Sequence, residues 1–185
     1  MKLSILTPTV PSREKQLSKL VEKIEKQIGN HEVEHLIFSD NRKRSIGEKR
    51  QALADIALGE YIAFVDDDDD VSDDYVARLL TAIERKPDVI TLRQGSTYNG
   101  LQSEIHFGIN NPDTAFNPGG ITLRAPWHVC AWRRDKVQGC QFLSVNYGED
   151  LAWCVQARKR IKSALHIDAV LHFYRHDAST TLAPE

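Results

Sequence analysis

From Asp66 to Asp74 the chain reads DDDDDVSDD, seven carboxylates placed directly after an apolar run, Tyr61 to Val65. Five adjacent aspartates repel one another, each raising its neighbours' pKa, unless a divalent cation or basic side chains compensate. Hard carboxylate oxygens suit Mg²⁺ or Mn²⁺. A second acidic pair, Glu149-Asp150, opens a stretch with helical spacing; it fits a general base, or a first turn whose negative charge complements the helix dipole. His172 and His176 flank Phe173-Tyr174-Arg175, and strand alternation puts His172, Tyr174 and His176 on one face. Either imidazole serves as a metal ligand or as an ordinary strand-end histidine.

The elements that must position these groups alternate. Leu3 to Leu6 reads as a strand, and Leu17, Leu20, Val21, Ile24 and Ile28 have helical spacing that ends at Gly29-Asn30. Val33 to Phe38 reads as the next strand. A second helical stretch (Ile46, Leu53, Ile56, Ala57) closes at Gly59. Tyr61 to Val65 is a short buried strand, Tyr75 to Ile83 a helix and Val89 to Leu92 a further strand. This βαβ rhythm implies an α/β domain whose mostly parallel sheet is flanked by helices. In such sheets ligands sit beyond the carboxyl ends of strands. Thr7-Pro8-Thr9 through Arg13, then Asp40, then Asp66 onward occupy those ends. Ser72, Asp73 and Asp74 are placed to cap the helix that follows. Residues 93 to 120, rich in Gly, Asn, Ser and Pro, read as a hairpin plus a long loop. Beyond them come strands at Ile121 to Arg124 and Val129 to Arg133, a helix from Gly148 to Ile161, and two short strands, Ala164 to Ile167 and Val170 to Tyr174. The tail from Asp177 reads as loose.

Three patterns compete for the acidic run. An EF-hand loop starting at Asp66 needs Gly sixth and Glu twelfth, but the chain has Val71 and Ala77, so that pattern fails. The frame Asp67-x-Asp69 resembles the first motif of haloacid-dehalogenase-type phosphatases, with Asp67 as nucleophile and Asp69 as acid. Such a strand usually opens its domain, whereas two β-α units precede this one.

The third pattern covers most of the chain, which resembles a family 2 glycosyltransferase of nucleotide-sugar-binding GT-A fold. Ile5-Leu6-Thr7-Pro8-Thr9 with Arg13 is similar to the family's opening strand and nucleotide loop. Ile46 to Leu53, followed by Ala57 to Asp69, resembles its basic helix, Gly-Glu-Tyr strand entry and DxD motif. Gly148-Glu149-Asp150-Leu151 with Trp153 resembles its ED motif, and Tyr174-Arg175-His176 with Ser179 its C-terminal segment. The resemblance implies a single domain in which residues 1–92 bind the nucleotide and 93–185 serve the acceptor and the chemistry. Pro8, Thr9, Arg13, Asp40, Arg50, Asp66, Asp67 and Arg175 would bind the donor: Asp40 at a pyrimidine N–H, Arg50 at base or diphosphate, and Asp67 at the ribose. Asp68 and one of His172 and His176 would bind Mn²⁺ or Mg²⁺, and Asp150 would be the base of an inverting transfer. The implied donor is a nucleotide-sugar, with UDP preferred; the acceptor is a glycan, a protein or a modified nucleic-acid base. A noncatalytic nucleotide-sugar-binding module is the alternative from another class.

Composition agrees with one globular domain: 185 residues, 41% hydrophobic and 27% charged. Outside the acidic run, 19 acidic residues face 24 basic ones, a surplus too small to signal nucleic acid by itself. No apolar run approaches the roughly 20 residues of a bilayer span, and Pro8 breaks the first strand too early for a signal sequence. Cys130, Cys140 and Cys154, odd in number and without a CxxC, argue against disulfides or zinc and point to the cytoplasm. Trp127, Trp132 and Trp153 read as core, with Trp127 the candidate to stack on an acceptor sugar.

Overall fold

The computed structural model describes residues 1–98 and 100–176. Strand β1 (Leu3–Thr9) is completely buried, as a strand with neighbours on both sides and helices over both faces must be. A 3-10 turn at Pro11–Arg13 leads into α1 (Glu14–Ile28), whose Leu20, Ile24 and Ile28 are buried. There follow β2 (Val33–Ser39), α2 (Ile46–Ile56), β3 (Tyr61–Phe64), the two-residue β4 (Asp70–Val71) and α3 (Tyr75–Ile83). The second half contains β5 (Val89–Tyr98), β6 (Leu101–Phe107), β7 (Ile121–Arg124), β8 (Ala131–Arg133), α4 (Arg134–Val137), α5 (Glu149–Arg158) and β9 (Ala164–His176).

The sheet order is β2-β1-β3-β8-β5-β6-β7, with β9 beside β5 and β4 beside β9. The half built from β1, β2 and β3 is parallel, whereas β8 runs antiparallel to both β3 and β5. The long β5–β9 and the β6–β7 pairings are again parallel, so the sheet is mixed and mostly parallel. Its core runs from Leu3, Ile5 and Leu6 through Phe64 to Trp132 and Trp153, all at most 1% exposed.

Several boundaries differ from the sequence reading for local reasons. Strand β5 continues to Tyr98, because the hairpin partner β6 pairs with it as far as Leu101. The two short strands expected after residue 164 are one strand, β9, whose irregularity shows as register shifts opposite Thr91 to Gln94. Helix α3 starts at Tyr75 with Asp74 as its N-cap, so Asp73 and Asp74 precede the first turn. Asp74 makes no cap bond and instead pairs with Arg78 and accepts the Ser72 hydroxyl at 2.8 Å. Helix α2 has a capping box unread in the sequence: the Ser45 hydroxyl accepts from the Glu48 amide while Glu48 reaches back to the Ser45 amide. Cys130, Cys140 and Cys154 are buried and unpaired. Among the described residues no helix is long and apolar enough to cross a membrane. The tail from Asp177 and the Ser179 of the C-terminal motif lie outside the described residues.

Candidate active site

The acidic run begins two residues beyond β3, after Val65, at the carboxyl end of the parallel half. The Asp69 amide donates to the Asp66 carbonyl at 3.1 Å, folding the run into a turn that fans its carboxylates toward different partners. Asp66 accepts from Arg50 Nη2 at 2.8 Å. Asp67, 2% exposed, accepts the Thr9 hydroxyl on Oδ2 (2.6 Å) and Arg13 Nη1 on Oδ1 (2.8 Å). Arg13 Nη1 also lies 3.0 Å from Asp68 Oδ2. Asp69 faces His172 Nε2 at 3.3 Å, and Asp70 pairs with Lys23 at 3.0 Å. Basic groups therefore face each member of the run, with Arg13 shared between Asp67 and Asp68.

At Asp68 and Asp69 burial outweighs these partners, raising both carboxyls above the ordinary value. Burial and the adjoining carboxylates of Asp69 and Asp66 outweigh Arg13 and push the Asp68 carboxyl up to about 7. Arg13 is itself opposed by burial, yet Asp68 and Asp67 hold its pKa above the ordinary value. His172 is completely buried, and neither ring nitrogen makes a hydrogen bond among the described residues. The imidazole lies beside Asp69, and together with the raised carboxyls of Asp68 and Asp69 it could hold a hard divalent cation, although no three His, Cys, Asp or Glu side chains among the described residues form a ready ligand set.

Helix α2 lies beneath this turn. Lys49, 4% exposed, donates to the Thr9 carbonyl at 2.8 Å and faces Asp40 Oδ1 at 3.1 Å. Asp40, expected to face a pyrimidine, therefore has one oxygen held by Lys49, while the other accepts the Arg44 amide at 2.9 Å. Burial opposes ionisation of Asp40, but Lys49 and the Arg44 amide hold its pKa below the ordinary value. Arg50, expected at the base or diphosphate, is only 2% exposed. It bridges Asp66 and Glu149, the latter from Nε at 3.3 Å, and lies over the Phe64 ring, so its charge acts from below the cleft.

Asp150, in the first turn of α5, is 24% exposed. Its Oδ2 accepts the Trp127 indole N–H at 3.1 Å and lies 3.4 Å from His128 Nδ1; its Oδ1 accepts the Leu151 amide at 2.7 Å. His128 is neutral near pH 7, because burial and then the Arg50 charge push its pKa down to about 4. Burial raises the Glu149 pKa against the pull of Arg50. The Trp127 ring has the Arg124 and Arg158 guanidiniums each 5.2 Å from its centroid, so it is engaged by cations where a sugar had been expected. Arg175 is exposed and 3.9 Å from Asp70; Pro8 lies in buried β1, and His176 pairs through its backbone with Tyr98.

This geometry also disposes of the phosphatase frame. Both oxygens of Asp67 are engaged and the residue is sealed, leaving no approach for an in-line attack on a phosphoester. Lys49, His128 and Glu149 were not singled out by sequence reasoning as site residues in their own right. Lys49 and Glu149 each adjoin a residue that was, whereas His128 opens an apolar run that reads as core.

A mixed, mostly parallel sheet flanked by helices, with an acidic turn beyond β3 and a second acidic pair on α5, has the GT-A-type architecture. The sequence profile of glycosyl transferase family 2 matches residues 12–139, and the chain belongs to that family. No curated protein sequence matches it. Among solved structures it is similar to S. aureus TarS 1–349 in complex with UDP, with a TM-score of 0.74 at 17% identity over 96% of this chain. The same protein in complex with UDP-GlcNAc superposes with a TM-score of 0.70 at 16% identity over 99% of the chain. The chain spans 61% and 62% of those two TarS chains.

Proposed function

We propose that this protein moves a sugar from a nucleoside diphosphate sugar, with UDP as the nucleotide, to an acceptor hydroxyl with inversion at the anomeric carbon. The observation that carries the proposal is the meeting, at the carboxyl end of β3, of two separate acidic devices: the Asp66–Asp69 turn and the Glu149-Asp150 pair, joined underneath by Arg50 through Asp66 and Glu149. The first is suited to the diphosphate end of a donor and the second to a hydroxyl. The UDP and UDP-GlcNAc bound to structurally similar TarS support the choice of nucleotide.

In this reading residues 1–92 hold the donor and 93–185 the acceptor, with a glycan favoured as acceptor. Asp67 stays locked to Thr9 and Arg13 and shapes the ribose pocket, while Arg13 and Arg175 supply positive charge for the phosphates. Asp68 and His172 would hold Mg²⁺ or Mn²⁺, which stabilises the negative charge gathering on the diphosphate as it leaves. Asp150 accepts the proton of the acceptor O–H, and the oxygen forms its bond to the anomeric carbon. The bond from that carbon to the diphosphate breaks on the opposite side, and the leaving group takes the electron pair. The buried, unpaired cysteines support a reducing compartment.

The test is calorimetric titration of UDP, GDP, CDP and TDP with and without Mn²⁺, followed by turnover of the matching sugar nucleotides. Metal-dependent binding of UDP above the others, abolished in Asp68→Ala, together with turnover abolished in Asp150→Asn, is the expected result. Absence of binding by every nucleotide at millimolar concentration with Mn²⁺ present would overturn the proposal.

A further inference from the structure

We infer that Trp127 is a positioning residue that aims the Asp150 carboxylate through its indole N–H, and that Arg158, two turns along the same helix, holds the indole in place. The inference rests on Asp150 being the base of the proposed transfer. An indole N–H is a donor only, so it can orient a carboxylate without competing for the proton that the carboxylate must take. With Trp127 on Oδ2 and the Leu151 amide on Oδ1, both oxygens of Asp150 have a fixed direction.

The indole has little freedom of its own. Arg158 Nε donates to the Pro126 carbonyl at 2.8 Å and Nη2 to the Ala125 carbonyl at 3.3 Å, while Nη1 pairs with Asp113 at 2.6 Å. This leaves the flat face of the guanidinium near the ring, where the cation–π attraction adds to the clamp. The Trp127 carbonyl accepts the Trp132 indole N–H at 3.0 Å, tying the backbone of the same residue to the core. Helix α5 thus carries the base at one end and, at the other, the clamp on the group that orients it.

Other ionisable groups feel Asp150 from each neighbouring element: Arg50 on α2, His128 before β8, and Glu149 and Cys154 on α5 itself. Of these, only His128 lies within 4 Å of the carboxylate, and its Nδ1 makes no hydrogen bond among the described residues. The directional restraint from a side chain is therefore the indole. Misplacing a reacting group by about 1 Å costs on the order of a hundredfold in rate.

The experiment uses hydrolysis of UDP-GlcNAc in the presence of Mn²⁺ as its kinetic probe and the indole N–H signals in ¹H–¹⁵N NMR as its structural one. Trp127→Phe keeps a ring under both arginines and removes only the donor; kcat should fall roughly ten- to a hundredfold with KM within about twofold. Arg158→Met should lower kcat in the same sense by less. In Asp150→Asn the Trp127 indole signal should move while that of Trp132 stays. Inactivity of Asp150→Asn alongside an unchanged kcat in Trp127→Phe, or an indole signal indifferent to Asp150→Asn, overturns the positioning role. Wild-type turnover in Asp150→Asn, or no hydrolysis of any nucleotide-sugar by the wild-type protein, overturns the base assignment, and this inference falls with it.

Discussion

Replacing Arg50 by Met removes a guanidinium that is 2% exposed and leaves two carboxylates, Asp66 and Glu149, that it had served at 2.8 and 3.3 Å. Met preserves most of the packing against Phe64, so the loss is chiefly electrostatic. Breaking a buried pair by deleting one partner typically costs about 3–5 kcal/mol, because the remaining charge is stranded away from water. For a domain of this size each kcal/mol lowers Tm by roughly 2–4 °C, so Arg50→Met should melt roughly 6–20 °C below wild type at pH 8. The cost must also depend on pH. The Glu149 carboxyl already titrates above its ordinary value through burial, whereas Arg50 helps to hold Asp66 below its own against burial; without Arg50 both rise. A carboxyl with a raised folded pKa binds its proton more readily in the native state, so the native state gains as pH falls. The deficit of Arg50→Met should therefore shrink between pH 8 and pH 5. The double variant Arg50→Met/Glu149→Gln should recover part of the loss at pH 8, as expected for directly coupled sites. Urea unfolding followed by circular dichroism at both pH values measures all three. A loss below about 1 kcal/mol at pH 8, or an equal loss at pH 5, would show that Arg50 is not the charge holding these carboxylates together.

Gly47→Ala should destabilise even though Ala favours a helix by about 1 kcal/mol, because a Cβ there would lie 1.8 Å from the Leu143 carbonyl oxygen. The clash should cost about 1–3 kcal/mol, read from thermal melts, and expose the 141–147 segment to limited proteolysis. Burial pushes the His35 pKa down to about 4 from an ordinary 6.5, so the unfolded chain takes up its proton first as pH falls. Its burial should therefore remove up to about 3 kcal/mol of stability between pH 6.5 and pH 4, and His35→Gln should flatten that part of the stability profile.

Legibility in the sequence followed the strength of local pattern. Helix α3 was read to the residue because apolar positions recur from Tyr75 to Ile83; β1 to β3 were read from their apolar runs with the right starts but with ends off by one to three residues. Strand β4 was not readable: two residues inside an acidic run become a strand only because β9 lies alongside. Strand β9 was split in two because Asp168 interrupts an apolar alternation that parallel pairing with β5 sustains. At the site, types and order identified the acidic turn and the Glu149-Asp150 pair, but not what each charge meets. Arg50 is the clearest case: its partner Glu149 lies 99 positions away, and nothing in a helical basic residue says that it faces inward. His128 left even less trace, since the next residues, Val129 to Ala131, are apolar and buried with it.

The pairing of β4 with β9 has a consequence for the order of synthesis. His172 lies about a hundred residues after Asp69, and Val71 is registered against His172 itself. As the chain emerges from the ribosome, the parallel half can assemble with Asp67, Asp68 and Asp70 of its acidic turn already facing Arg13 and Lys23, both translated earlier. Arg50 is also in place by then, but Glu149, Asp150 and the imidazole follow Asp69 by roughly 80 to 100 residues. The site is therefore a late product of translation, and a nascent chain stopped before residue 149 would have the scaffold of the donor half without the groups assigned here to complete the reaction centre.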